Sequence, residues 1–334
     1  MKQSKAKFFI GFDISKLSID VAVVAEDKRH LASFRFANSE SGIQELFRTL
    51  QKEYKCRIAN SLLCAEDTGP YSSCLKQYVA AKKGALCLES PLQLARSIGV
   101  QRAKTDSLDA LKIAKYALAH RDSLRLWERP RECIEQLKVL LAIRRRLLKI
   151  RKSLGQGDES YEPLSLSIKG KSVAYYSQRT SYAVKEDIKD VDKEILSLVS
   201  SDPELARLHR LMTSIPRVGI ILSANILIST NEFKGITTAK KFACYCGVAP
   251  FDRLSGTSLR KARRVSKFAN KELKALLHLA AIGFVNREQF FLGRYYKRKL
   301  EEGKRPMAVI NAIRNKIIHR IYACVNGGIG YIDN

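Results

Sequence analysis

The chain has 334 residues, with 60 lysines and arginines against 33 aspartates and glutamates, so its formal net charge is +27. That excess predicts a polyanionic partner, and because it is spread over most of the chain it favours nucleic acid over a membrane surface. No stretch of about 18 uninterrupted apolar residues occurs, which excludes a membrane-spanning helix. The eight cysteines show no paired spacing, so we expect reduced thiols, a cytoplasmic protein and no zinc site.

The first part of the chain alternates strand and helix patterns. Apolar segments at Phe8–Ile14, Leu17–Ala25 and Leu31–Phe36 predict three successive strands. The elements predicted after them are a helix capped by Ser39 or Ser41, a strand at Ser61–Ala65, a helix at Tyr71–Lys82, a strand at Ala85–Leu88, a helix after Pro91 and a helix at Thr105–His120. This order is typical of a ribonuclease H-like α/β domain, which we place at residues 1–128.

Residues 129–204 are predicted to form a helical, coiled-coil linker. Apolar residues at heptad-compatible spacing run through Pro130–Leu154, and five more between Val184 and Leu198 step by four, three, four and three. Such spacing is typical of an antiparallel helical hairpin, of a coiled coil between subunits, or of an amphipathic helix packed on its own domain. The intervening segment, Gly155–Lys171, is predicted to be a loop.

The third part, residues 205–334, follows Asp202-Pro203 and is predicted to be mostly helical. Leu211–Gly219, followed by an apolar helix, is typical of a helix-hairpin-helix DNA-binding unit, whose glycine lets the backbone approach phosphate at a helix N-terminus. Arg217 lies in this turn and is a candidate nucleic-acid contact. The glycine-rich segment Asn326–Gly330 is predicted to be loose.

Four carboxylates form the strongest candidate site. Asp13 lies in a predicted buried strand, Glu66 ends another, and Asp106 and Asp109 share one face of a predicted helix. Clustered acids are costly unless a cation neutralises them, and Mg²⁺ prefers hard oxygen ligands. We therefore predict that the four acids hold magnesium and catalyse phosphoryl transfer. Asp67 is the alternative to Glu66, because strand alternation lets only one of them face the site.

A second candidate site is the basic segment around Ser255-Gly256. A serine attacks phosphorus if its proton is removed and guanidinium groups stabilise the developing charge, which makes Ser255 a candidate nucleophile. Ser258 and Ser266 lie near enough to be confused with it, and a Ser-Gly in a basic loop is by itself more simply a turn with phosphate contacts. The candidate nucleic-acid contacts here and in the basic middle of the chain are Arg253, Arg260, Arg263, Arg264, Lys267, Arg144 and Arg145.

Taken together, these motifs resemble the DEDD-type insertion-sequence transposases of the IS110 family, also described as bridge-RNA-guided recombinases. The resemblance covers nearly the whole chain. It is carried by Gly-Phe-Asp13-Ile-Ser-Lys, Ala-Glu66-Asp-Thr-Gly-Pro-Tyr71, Lys-Thr-Asp106-Ser-Leu-Asp109-Ala, Ile215-Pro-x-Val-Gly219, Gly247-x-Ala-Pro250, Ser255-Gly256 and Ser266-Lys-x-x-Asn270. Two departures are Asp67, where the family often has a hydrophobic or small residue, and Ala269, where it commonly has glycine.

The resemblance implies a RuvC-like N-terminal domain, a coiled-coil linker and a mostly helical C-terminal serine transposase domain. It also implies a composite site, in which Asp13, Glu66, Asp106 and Asp109 bind Mg²⁺ and Ser255 of another subunit attacks DNA to give a covalent phosphoserine. The implied partners are donor and target DNA, a structured non-coding guide RNA and further copies of the chain, as a dimer or tetramer. The implied place of action is the prokaryotic cytoplasm, at the nucleoid.

Three other interpretations stay open at this point. A RuvC-like resolvase or nuclease would hydrolyse DNA with the four acids and water, and would not need Ser255. Sugar kinases and actin-like ATPases begin with a hairpin like residues 11–24, but they need a second glycine-rich phosphate loop and an adenosine pocket, which the sequence does not indicate. A basic architectural nucleic-acid-binding protein would leave the four acids unexplained.

Overall fold

The computed structural model describes residues 6–67, 69–98, 106–161, 173–255, 259–265 and 269–333. The chain divides into two compact units, Met1–Arg129 and Pro130–Asn334. The division of the second unit into a linker and a C-terminal domain at residues 204 and 205 stays a prediction. Within the described ranges, no helix is both long enough and apolar enough to cross a membrane.

The first unit is built on a mixed sheet of five strands. Its elements are β1 (Phe8–Ile14), β2 (Ser18–Ala25), β3 (His30–Ala37), α1 (Glu40–Tyr54), β4 (Ser61–Glu66), α2 (Ser73–Ala81), β5 (Ala85–Glu89), α3 (Pro91–Ile98) and α4 (Asp106–Ala119). The strand order is β3-β2-β1-β4-β5, with β1, β4 and β5 parallel and the first hairpins antiparallel. This arrangement, with helices after the three meandering strands, fits a ribonuclease H-like domain. The finer RuvC-like assignment stays a prediction.

Alternation along β1 gives the sheet two different faces. Ile10, Phe12 and Ile14 belong to the apolar cluster that includes Ile43 and Leu46 of α1. Helix α1 starts where Ser39 caps it, with the Gly42 N–H donating to the Ser39 hydroxyl. The other face of β1 carries Phe9, Gly11 and Asp13, and it is the face that α4 covers.

Gly11 is the point where α4 comes closest to the sheet. A Cβ atom at this residue would lie 2.2 Å from the carbonyl oxygen of Ala110 and 2.3 Å from the backbone nitrogen of Ala114. Ala110 and Ala114 are fully buried together with Ala22 and Val24 of β2. Small residues on both surfaces therefore let the helix backbone lie directly on the strand.

Gly11→Ala is expected to lower the free energy of unfolding of the first unit by about 3 kcal/mol, because the new methyl group would meet backbone atoms that no rotamer change can move. Urea denaturation followed by circular dichroism measures the change. Gly327→Ala is the matched control, since a Cβ there meets nothing within 4 Å and alanine favours a helix over glycine by up to about 1 kcal/mol. Equal stability of the two variants would contradict the close packing of α4.

The described part of the second unit is helical except for one hairpin. Its elements are α5 (Glu132–Tyr161), α6 (Val173–Ser201), α7 (Pro203–Thr213), α8 (Ile220–Thr230), α9 (Ala239–Tyr245), β6 (Pro250–Ser255), β7 (Leu259–Val265), α10 (Lys271–Ile282), α11 (Phe291–Glu301) and α12 (Pro306–Gly327). Helices α5 and α6 form an antiparallel pair, which Arg131–Asp202 and Arg144–Asp192 ion pairs connect at two levels. Apolar residues of both helices join the core of this unit, including Leu137. The heptad spacing thus gives a helical hairpin within the chain.

Three sequence expectations for this unit are wrong. Helix α5 continues through Gly155 and Gly157 to Tyr161, where a loop was predicted, because a glycine costs a helix only about 1 kcal/mol and extending an existing helix is cooperative. The segment around Ser255 is a strand pair, not a loop. The glycine-rich end of the chain is not loose, since the Tyr331 N–H donates to the Ser214 hydroxyl at 2.8 Å. The rest of the predicted loop, residues 162–172, lies outside the described residues.

Candidate metal centre and nucleic-acid interface

Asp13 and Glu66 lie side by side on one face of the sheet. Strands β1 and β4 are parallel, with Phe12 opposite Ala65, so the next residue of each strand is Asp13 and Glu66. In β4, Leu62 and Cys64 belong to the cluster that contains residues of α4, and alternation extends that face to Glu66. The two acids therefore come together at the carboxyl ends of two central parallel strands.

Helix α4 brings its first turn towards these acids. Phe9 shares a cluster with Ile113 and Ala117, whereas Gly11, further along β1, meets Ala110 and Ala114. The helix thus runs opposite to β1, and its N-terminal turn, which begins at Asp106, lies towards Asp13. The backbone of Asp106 is described, but its side chain lies outside the described part of the structure.

Asp109 is already neutralised within its own helix. The Lys112 ammonium lies 2.5 Å from the Asp109 carboxylate, and the two side chains are 18% and 29% exposed. Among the residues that the structure describes, no group of three or more His, Cys, Asp or Glu side chains is gathered closely enough to hold a metal ion. The carboxylate oxygens of the four acids are donors that Mg²⁺ accepts. To bind Mg²⁺, the Asp109 carboxylate would have to give up its ion pair with Lys112.

The structure distinguishes Glu66 from Asp67. The Asp67 carboxylate lies 3.2 Å from the Lys76 ammonium, and its side chain is 53% exposed. Alternation directs it away from the face that carries Asp13. Glu66 is therefore the acid that the sheet geometry places beside Asp13.

Sequence reasoning missed three charged residues on the same face of the sheet. Asp20 of β2 lies directly opposite Asp13, is 6% exposed, and pairs with Arg35 of β3 at 2.9 Å. Glu89 of β5 lies opposite Glu66, and burial raises its pKa, an effect that nearby His120 partly offsets. The position of Asp20 could have been inferred from the sequence, because a hairpin with a short turn fixes which residues of its two strands face each other.

Ser255 is the last residue of β6, opposite Leu259 at the start of β7. The register also sets Arg253 opposite Lys261 and Leu254 opposite Arg260. The hairpin backbone therefore places Arg253, Arg260 and Lys261 near Ser255, whereas Arg264 lies opposite Phe251 towards the other end of the hairpin. The side chains of this hairpin, and all of residues 256–258 and 266–268 with Ser258, Ser266 and Lys267, lie outside the described residues.

The other candidate nucleic-acid contacts, Arg144, Arg145 and Arg217, each have a partner within the protein. Arg144 pairs with Asp192 at 2.6 Å, and Arg145 pairs with Glu272 at 2.5 Å. Arg217 adopts a left-handed backbone conformation, with φ of 67°, and its guanidinium lies over the Phe290 ring at 5.6 Å from the ring centre. Arg217 is therefore exposed in the turn between α7 and α8, as a helix-hairpin-helix contact would be.

Comparisons with known proteins match two separate parts of the chain. A family model described as Transposase, for the DEDD type of IS110, matches residues 10–156, and one described as Transposase IS116/IS110/IS902 family matches residues 209–296. The first range contains the four acids and the second contains Ser255.

Individual relatives also include proteins of mobile or inverting DNA elements. Pilin gene-inverting proteins of Moraxella bovis and Moraxella lacunata are each 26% identical over 327 residues, which cover 96% of this chain and 96% of the relative. An uncharacterized protein of insertion element IS110 from Streptomyces coelicolor is 27% identical over 149 residues, 45% of this chain and 35% of the relative. The two family models and these relatives together support an IS110-family transposase.

Proposed function

We propose that this transposase cuts and rejoins DNA at a composite site, formed by the acids of the first unit and Ser255 of the second. The observation that carries the proposal is the placement of Asp13 and Glu66 side by side, with the first turn of α4 turned towards them. A ribonuclease H-like sheet with acids at this position is suited to phosphoryl transfer, because Mg²⁺ bound there stabilises charge on the attacking and leaving oxygens.

The chemistry follows from the residue types. The Ser255 oxygen attacks a DNA phosphorus, the phosphorus–oxygen bond to the neighbouring nucleotide breaks, and that nucleotide leaves as a hydroxyl after taking up a proton. The serine proton passes to the site that the acids hold, since a serine needs a base or a metal to become nucleophilic. Arg253, Arg260, Arg263 and Arg264 would stabilise the phosphate charge as guanidinium donors. A second strand's hydroxyl then attacks the phosphoserine and releases Ser255 unchanged.

The partners are part of the same proposal. Two of the relatives are named for gene inversion, and we propose that this chain likewise rearranges specific DNA segments in the prokaryotic cytoplasm, at the nucleoid. We also propose a structured guide RNA that selects donor and target DNA, and a dimer or tetramer in which acids and serine come from different subunits. The net charge of +27 supports binding to polyanions such as DNA and RNA.

The direct test mixes the protein with magnesium, RNA transcribed from the non-coding segment beside its gene, and DNA that carries the ends of the insertion element. Strand exchange that needs all three supports the proposal. DNA cleaved without rejoining, or cleavage that is indifferent to the RNA, would contradict the recombinase or the guide, respectively. A chelator added before the DNA shows whether a divalent metal is required.

Affinity for structured RNA is expected to fall steeply with salt. Each phosphate that a lysine or arginine neutralises releases counterions, so a contact surface with 6–10 such pairs should lose about 10³- to 10⁵-fold in affinity between 50 and 200 mM salt. Fluorescence anisotropy with a labelled RNA at five salt concentrations measures the slope. A slope near zero would contradict a phosphate-dominated interface.

A further inference from the structure

The last described residues of the chain, 328–333, fold back onto the second unit and are called the strap here. The Tyr331 N–H donates to the Ser214 hydroxyl at 2.8 Å, the Asp333 carboxylate accepts from the Phe291 N–H at 3.0 Å, and the Tyr331 hydroxyl donates to Asp333 at 2.6 Å. The strap thereby joins the end of α7 to the start of α11.

The surface beneath the strap is cationic and aromatic. The Arg320 guanidinium of α12 lies 5.1 Å from the ring centres of both Phe291 and Tyr331. Arg217 lies over the ring of Phe290, the residue that precedes α11. Two guanidinium groups thus flank the start of one helix. In proteins that bind single-stranded nucleic acid, bases stack on aromatic rings and cations lie beside them.

Two polar groups of this surface need an acceptor or an anion. The Nη1 of Arg320 is buried and has no hydrogen-bond partner among the described residues. Helix α11 has no side-chain cap from its own Phe290, so its first N–H is satisfied by the strap carboxylate instead. Helix N-termini favour anions, and Asp333 supplies one.

Chemically, the strap offers the two parts of a nucleotide. The Tyr331 ring stacks on Arg320 as an unpaired base does, and the Asp333 carboxylate binds the helix start as a phosphate does. We propose that the surface formed by Arg217, Phe291 and Arg320 binds single-stranded nucleic acid, and that the strap occupies it as a mimic when no nucleic acid is bound.

Tyr331 is the strap side chain that packs on the second unit, where it lies partly buried against the core. The other two large apolar side chains, Ile329 and Ile332, are 68% and 70% exposed, so displacement of the strap gives up the packing of one aromatic ring and little other buried apolar area. Gly328, at φ of 67°, allows the chain to turn away at the end of α12. Segments with few buried apolar contacts are those that open locally in a folded protein.

The experiment measures binding of a labelled single-stranded oligonucleotide, without magnesium, by the full chain and by a chain that ends after Gly328. If the strap is closed in about nine molecules of ten, its removal raises the apparent affinity about tenfold. Asp333→Asn, which keeps an acceptor for the Phe291 N–H but loses the charge, should raise it by a smaller factor and guards against misfolding of the shortened chain. Unchanged affinity in both variants would show that the strap is only structural, and would overturn the proposal.

The second arm tests the surface itself in the shortened chain. Arg320→Gln should reduce the slope of log affinity against log salt by about one, the contribution of one phosphate contact. Lys297→Gln is the matched control, because Lys297 is an exposed cation of the neighbouring helix α11 that pairs with Glu288 at 2.8 Å. Equal effects of the two substitutions would overturn the proposal. Because neither arm requires Ser255 or a metal, failure here is distinguishable from failure of the proposed recombination.

Discussion

Asp13→Asn is expected to lower DNA strand exchange by at least about 1000-fold, equivalent to about 4 kcal/mol of transition-state stabilisation. The carboxylate lies at the end of a central strand beside Glu66, where an amide would weaken metal binding and remove a negative charge opposite Asp20. Rates of recombinant product formation measure the loss. RNA binding should be nearly unchanged, because the substitution does not alter the basic surface.

Asp67→Asn is the matched control for Asp13. Asp67 is equally acidic and directly follows Glu66, but its carboxylate pairs with Lys76. We expect activity within about threefold of the native protein, since an exposed ion pair contributes at most about 1 kcal/mol. Full activity of Asp13→Asn, or an equally large loss in Asp67→Asn, would contradict the assignment of the acids.

Ser255→Ala is expected to abolish the covalent protein–DNA intermediate and to lower strand exchange at least about 10⁴-fold, the scale on which loss of a nucleophile acts in serine enzymes. DNA and RNA binding should persist, because a single hydroxyl at the end of β6 contributes little to a surface dominated by charge. A gel shift that survives denaturant measures the intermediate. Ser258→Ala and Ser266→Ala should keep measurable activity, and recombination by Ser255→Ala at the native rate would leave the hydrolytic resolvase as the better interpretation.

A mixture of the two inactive variants tests whether the site is shared between subunits. If the acids of one subunit work with the serine of another, Asp13→Asn and Ser255→Ala subunits together contain intact composite sites, and part of the activity returns. If both groups must come from one chain, no mixed assembly has a complete site. Titration of one variant into the other separates these outcomes.

The sequence was most informative where hydrophobic periodicity is strong. Strand β1 has the predicted bounds, Phe8–Ile14, because its apolar run ends at a polar Ser-Lys turn. The placement of Asp13 and Glu66 near each other could also be anticipated, since both acids lie within the last two residues of apolar strands. Tertiary pairing was the missing information for Glu89, because its position beside Glu66 depends on the register of the parallel strands β4 and β5.

Local patterns failed where distant contacts decide the structure. The end of the chain is rich in glycine, which favours disorder, yet two hydrogen bonds hold it: the Tyr331 N–H donates to the Ser214 hydroxyl, and the Asp333 carboxylate accepts from the Phe291 N–H. No periodicity reveals that a carboxylate at residue 333 will cap a helix that begins at Phe291. The Ser255 segment is similar: the Ser-Gly pair was expected to lie in a basic loop, but cross-strand pairing places Ser255 at the end of a strand.

The close contact at Gly11 changes how the Gly-x-Asp signature of the first strand should be understood. The glycine has a steric role: it lets a helix from a distant part of the sequence lie directly against the strand, with the N-terminal turn of that helix towards Asp13. Gly11 and the alanine pair Ala110 and Ala114 therefore act as one steric unit, separated by about 100 residues. A larger residue at Gly11, Ala110 or Ala114 would displace the helix, and with it the backbone of Asp106 and Asp109. A sequence search that couples the strand glycine to the small helix residues would thus select for the close packing of this helix on the strand, independently of the acids.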